Sequence, residues 1–192
     1  MDESLAKVRH ERSKKDFPGL RLEDGEYVEF ALRRAGICLR MILLATGVGL
    51  IIVLLAFLLV LMGQSLVDDM GRNFLFIVLA ALLAAALIIG AIAIMIHRGN
   101  KLFITNKHVI QMTMTSPVMN SVNIIDLGSV EDASFRQENI LQSLFGYGTL
   151  RLSTVGDETT YTFKYSDISG EELNAITKLI GDAKKKNAKS ED

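Results

Sequence analysis

The chain has no tryptophan, one cysteine and two prolines in 192 residues, and its formal net charge is -1. A single cysteine, Cys38, builds neither a disulfide framework nor a thiolate metal site. A near-neutral balance excludes the strongly basic surface that nucleic-acid binding requires. His10, His97 and His108 are scattered, with no i, i+4 pair, so no metal is expected. The most informative absence is that of charge from two long stretches. Met41 to Met62 and Phe74 to Ile96 contain no ionisable side chain, and mean hydropathy is +0.30, too high for an ordinary cytosolic domain.

At 1.5 Å per residue, about 22 residues make a helix of roughly 33 Å, enough to cross about 30 Å of hydrocarbon. The two runs predict a membrane hairpin over 35–97, with helices at about 41–62 and 74–96 and a loop at 63–73. Positive charges flank it on one side: Arg33, Arg34 and Arg40 before the first helix, Arg98 and Lys101 after the second. Such flanks are retained in the cytoplasm, which predicts a two-pass protein of the cell membrane with both termini inside and the bilayer as its first partner. A cleaved signal peptide fits poorly, because about 34 largely polar residues precede a run too long for an h-region. Neither run carries the mid-membrane carboxylate usual in transporters and pumps. Asp68 and Asp69 in the loop suit capping of the second helix better than a cation site.

Small residues at four-residue spacing, Ala80 with Ala84 and Ala86 with Gly90, allow close helix approach. The neighbour is the first helix, near Gly47 and Gly49, or a second copy in a homo-oligomer, and intrachain packing is the simpler choice.

Residues 1–34 hold as many acidic as basic side chains and read as a cytoplasmic segment whose first half is a solvated tail. Glu26 to Leu32 suits either a strand or the first turns of the membrane helix. Beyond the hairpin the pattern turns to short β-type runs. Strands are predicted near 101–105, 108–115, 122–127, 130–137, 149–155 and 160–165. Asn106-Lys107 suits a tight hairpin because Asn tolerates positive φ, and Gly156-Asp157-Glu158 suits a second turn. Leu150 and Leu152 share one face, as do Tyr161, Phe163 and Tyr165. Ser169 and Glu172 form a capping box opening a helix whose apolar stripe is Leu173, Ile176, Leu179, Ile180 and Ala183. Residues 98–184 thus read as a soluble α+β domain, followed by a charged tail at 185–192.

Three ordered blocks, NKLFITNKHVI (100–110), IIDLGSVEDASFRQ (124–137) and LFGYGTLRLST (144–154), resemble the bacterial pleckstrin-homology-like (PH-like) domains of the YdbS-like type, often fused behind two membrane helices. The resemblance implies an antiparallel barrel or sandwich of about seven strands capped by a C-terminal helix. It implies a binding or scaffolding module and no reaction.

Three surface features remain. Gly146-Tyr147-Gly148 lies far from either apolar run and lacks the third glycine of a dinucleotide loop, so it reads as a turn entering a strand. Ile140, Leu141, Leu144 and Phe145, beside Tyr147, place apolar side chains on one side of a helical turn, as core or as a contact patch for a protein partner or the bilayer. Lys184, Lys185, Lys186 and Lys189 are candidate contacts for an anionic leaflet. No nucleophile, base and orienting group can be paired, so neither catalysis nor a cofactor is expected. The sequence supports a membrane-anchored interaction or scaffolding module, with an anionic-lipid sensor or an accessory subunit of a transporter or membrane enzyme as alternatives.

Overall fold

The computed structural model describes residues 3–63, 69–154 and 160–191. In order they form α1 (Glu3–Asp16), β1 (Val28–Arg33), α2 (Gly36–Met62), α3 (Asp69–Gly99), β2 (Lys101–Thr105), β3 (His108–Ser116), β4 (Met119–Asp126), β5 (Val130–Arg136), α4 (Ile140–Phe145), β6 (Gly148–Thr154), β7 (Thr160–Ser166) and α5 (Gly170–Glu191).

Helices α2 and α3 are long and apolar enough to span a membrane. No residue of α2 is buried, and Leu44, Leu59, Ile77 and Ile89 stand exposed around the pair. A core helix in a soluble protein would be covered, and soluble monomers rarely expose apolar patches beyond a few hundred Å². Both helices begin five residues before the uncharged runs and α3 ends three residues beyond its own, whereas α2 ends with its run at Met62, because a helix continues wherever its backbone bonds can. Asp68 and the turn at 156–158 lie outside the described residues.

The two helices touch along one narrow face. A Cβ on Gly90 would lie 2.6 Å from Cγ2 of Thr46, and Phe57 meets Phe76 with ring centroids 5.0 Å apart nearer the loop. The neighbour of Ala86 and Gly90 is therefore α2 of the same chain, at Thr46 rather than at Gly47 or Gly49, where an added Cβ meets nothing within 4 Å. Ala80 and Ala84 are exposed, on the face turned away from α2.

The strands form two antiparallel sheets, β1-β2-β3-β4 and β5-β6-β7. The ladder does not close into a barrel. The sheets are joined by a bridge between Arg34 and Ser166, by the Ala35 amide donating to the Tyr165 carbonyl, and by Gln111 Nε2 donating to Thr162 O. Between them lies a core that includes Leu102, Ile104, Val109, Leu127, Val130, Leu150, Leu152 and Phe163. The capping box forms as expected: the Glu172 amide donates to Ser169 Oγ at 3.2 Å, and Glu172 Oε2 accepts from the Ser169 amide at 2.9 Å. It aims α5 so that Ile176 and Ile180 complete the core, each burial contributing about 1.5–3 kcal/mol. α5 runs to Glu191, through the stretch expected to be a tail.

Glu26 to Leu32 supplies the seventh strand: β1 pairs with β2, Leu32 opposite Leu102. The preceding residues are not a solvated tail. Phe17 packs edge-on against Phe103 at 5.1 Å, and Leu20 joins Phe103 and Ile110 in a second apolar cluster. Strand β2 is therefore covered on both faces, Leu102 and Ile104 by the main core and Phe103 by residues 17–22. The tight hairpin at Asn106-Lys107 forms without positive φ. Asn106 uses its side chain instead, Oδ1 accepting from the Tyr27 amide at 3.0 Å.

The N-terminal segment is locked by a buried carboxylate, Glu26, only 1% exposed. Its oxygens accept from Thr105 Oγ1 at 2.6 Å, the Glu23 amide at 2.8 Å and His108 Nδ1 at 3.0 Å. Above it His10 Nδ1 donates to the Glu26 carbonyl, and Ser13 Oγ accepts from the Val28 amide.

Candidate functional site

The strand directions give the domain a helix-proximal and a distal end. β1 runs into α2, and β2 starts two residues after α3. The β3–β4 hairpin tip, Ser116 to Met119, extends past the start of β2, since Lys101 already pairs with Met112. In the second sheet Arg136, Gly148 and Ser166 share one end, and Ser166 bridges to Arg34. That end is also proximal, so α4, between β5 and β6, lies beside the helix junction.

α4 is inverted relative to an ordinary surface helix. Its buried residue is the polar Gln142, whose Oε1 accepts from the Glu138 amide. Ile140, Leu141, Leu144 and Phe145 point outward, Ile140 87% and Leu144 72% exposed. The four side chains are therefore surface and not core. Gly146, at φ 69°, ends the helix in the left-handed region that only glycine adopts freely. Tyr147 does not belong to the patch: it is buried behind Tyr165, their centroids 6.2 Å apart. At the same end of the other sheet Val118, 90% exposed, and Met119 form a second apolar prong.

Where β1 meets α2 and α3 meets β2 lies a cleft of about 520 Å³, lined by Arg33, Arg34, Gly36, Leu39, His97, Arg98, Asn100 and Lys101. The folding of β1 against β2 brings together four of the five flanking cations read from the sequence. Arg40 stands apart, exposed on α2 and outside the lining. Arg33 sits directly opposite Lys101 in the ladder, a pairing of like charges that destabilises a sheet unless it is compensated. Arg34 lays its guanidinium over the Tyr165 ring at 5.4 Å. Burial pulls its pKa down from the ordinary value, yet a guanidinium stays charged at any physiological pH. Tyr165 holds this contact from φ 62°, a strained backbone for an aromatic residue, costing about 1–2 kcal/mol.

Three parts of the site gave no signal in the sequence. His97 reads there as a helix-boundary residue, and in the fold it is only 7% exposed. Asn100 bridges α3 to β3, its Nδ2 donating to Ile96 O at 2.6 Å and Met114 O at 3.0 Å. Val118 and Met119 are ordinary hairpin residues until register places them at this end.

The lysines of the C-terminal helix lie elsewhere. Lys184 Nζ donates to Glu131 O at 2.9 Å, at the distal start of β5, about 20 Å from its proximal end at 3.3 Å per residue. Lys185 follows it, exposed. The side chains of Lys186 and Lys189 lie outside the described residues. Lys184 therefore lies at the end of the domain opposite α2 and α3, apart from the cations of the cleft.

No family model matches the chain, and no curated protein matches it. Among solved structures, a DUF1696 family protein with a pleckstrin-homology domain from Shewanella loihica aligns over 44% of this chain and 70% of its own, at 14% identity and a TM-score of 0.33.

Proposed function

We propose that the chain is a two-pass membrane protein that holds a PH-like interaction module flat against the cytoplasmic leaflet, without catalysis. Seven strands in sheets of four and three, with a C-terminal helix closing the core, support the PH-like reading. The cytoplasmic side is favoured by the cations gathered at the helix ends. The observation that carries the reading is the inverted helix α4: its apolar face is exposed at the end of the domain that adjoins the helices. Outward apolar residues at that level lie where headgroups meet acyl chains, and each one inserted contributes about 1.5–3 kcal/mol. A protein partner seated on α4 is the competing reading, favoured by the same exposure.

The absence of tryptophan makes the test clean. Leu144→Trp, reconstituted in vesicles containing brominated lipids, should give blue-shifted emission that the bromines quench strongly. Lys107→Trp at the distal hairpin should emit as in water and remain unquenched. Water-like, unquenched emission from position 144 would overturn the docking of α4 on lipid and favour the protein partner.

A further inference from the structure

We propose that the cleft between α2, α3 and the β1–β2 edge binds the phosphate of an anionic phospholipid headgroup. The proposal rests on the membrane-anchored reading, which places the headgroup layer at this level. The cleft carries four formal positive charges, and none of its eight lining residues is acidic. Among the described residues, none of Arg33, Arg34, Arg98 and Lys101 makes a salt bridge. Unpaired surface cations are common, but here two are held directly opposite each other by strand register, and an anion between them would reverse the repulsion.

The buried polar groups point the same way. His97 lines the cleft and is 93% removed from solvent. Among the described residues, Arg34 Nε is the buried side-chain nitrogen left without a hydrogen-bond partner. Orphaned buried polar atoms are few in a folded protein, and each costs about 1–3 kcal/mol unless satisfied. A phosphate oxygen accepts from a guanidinium, an ammonium or an imidazole N–H. The opening turn of α2 adds to this field, because Gly36 lines the cleft and the cap residue Ala35 has no capping side chain.

The ligand class follows from the walls. Leu39 lines the cleft on α2 and leads onto the exposed apolar surface of that helix, so phosphate at the cations leaves acyl chains lying along α2. A volume of about 520 Å³ suits a compact glycerophosphate headgroup. A choline headgroup would bring its own cation into the cluster, which selects against zwitterionic lipid. Basic pockets at the ends of membrane helices hold anionic headgroups by this balance of charge.

Native mass spectrometry of the full chain in detergent, titrated with phosphatidylglycerol or phosphatidylcholine, tests the assignment. Phosphatidylglycerol should be retained preferentially at one molecule per chain. Arg98→Gln/Lys101→Gln should weaken retention about 25-fold, at about fivefold per cation removed. Arg33→Gln alone, at an exposed position, should weaken it about fivefold, which covers the case in which the double variant misfolds. Lys184→Gln/Lys185→Gln at the distal end should leave retention unchanged. Equal retention of the two lipids, equal loss in the distal variant, or displacement by millimolar inorganic phosphate would each overturn the assignment. Release of the chain from membranes by alkaline carbonate would overturn the anchored reading and the cleft with it, whereas an integral chain with unselective retention overturns the cleft alone.

Discussion

Glu26→Ala is expected to destabilise the full chain by about 3 kcal/mol, the largest effect of any single substitution considered. The carboxylate is buried and accepts from the Thr105 hydroxyl, the Glu23 amide and His108. Truncation leaves those donors facing a void, and hydrogen bonds to a charged group contribute about 1.5–3 kcal/mol each. Thermal unfolding in detergent micelles, followed by circular dichroism, reads the loss directly. A change below about 1 kcal/mol would mean that water replaces the carboxylate at no cost.

The same residue sets an acid limb. Burial pushes the Glu26 carboxyl up, but the hydrogen bonds from Thr105, Glu23 and His108, with the charge of His108, outweigh it and hold the carboxyl below its ordinary 4.5. A carboxyl depressed in the folded state contributes stability that is present above the unfolded pKa and lost as the pH falls through the folded one. Stability should therefore drop below about pH 4.5 in the native chain, and Glu26→Gln should flatten that part of the profile. An unchanged acid limb in Glu26→Gln would assign it to other carboxylates.

Gly90→Leu is expected to cost about 2–3 kcal/mol and to splay the helical hairpin. A Cβ at position 90 lies 2.6 Å from the Thr46 methyl. That methyl cannot swing aside freely, because the Thr46 hydroxyl donates to Ile42 O at 2.9 Å and fixes the rotamer. Ala80→Leu, on the exposed face of α3, should cost little. Combining Gly90→Leu with Thr46→Ala should recover part of the loss, since the two positions share one contact. A strictly additive double variant would place the strain elsewhere.

Much of this architecture is legible one residue at a time. The spanning length of α2 and α3 follows from uninterrupted apolar composition, and the α5 stripe and its capping box follow from helical spacing, because these are local properties of the chain. The first two β-type runs after the helices were equally plain: β2 matches its expected range to the residue, and β3 starts where it was expected. The N-terminal segment was not legible. α1 has no apolar stripe, and it is held by Ser13 meeting Val28 of β1, His10 meeting Glu26 just before β1, and Phe17, just past the helix, meeting Phe103 of β2, contacts across a separation that periodicity does not register.

The cleft shows the same division. That cations flank the apolar runs is a fact of sequence, and it is what the proposed orientation rests on. That Arg33 faces Lys101 needed β1 to be a strand in one particular register, and a slip of one residue would have turned its side chains to the opposite face of the sheet. Whether Ile140, Leu141, Leu144 and Phe145 formed core or surface also rested on tertiary structure. Four apolar residues on one helical turn specify a face but not its direction. The direction was decided by Gln142, whose Oε1 accepts from the Glu138 amide and which is the buried residue of α4, turning the apolar face out.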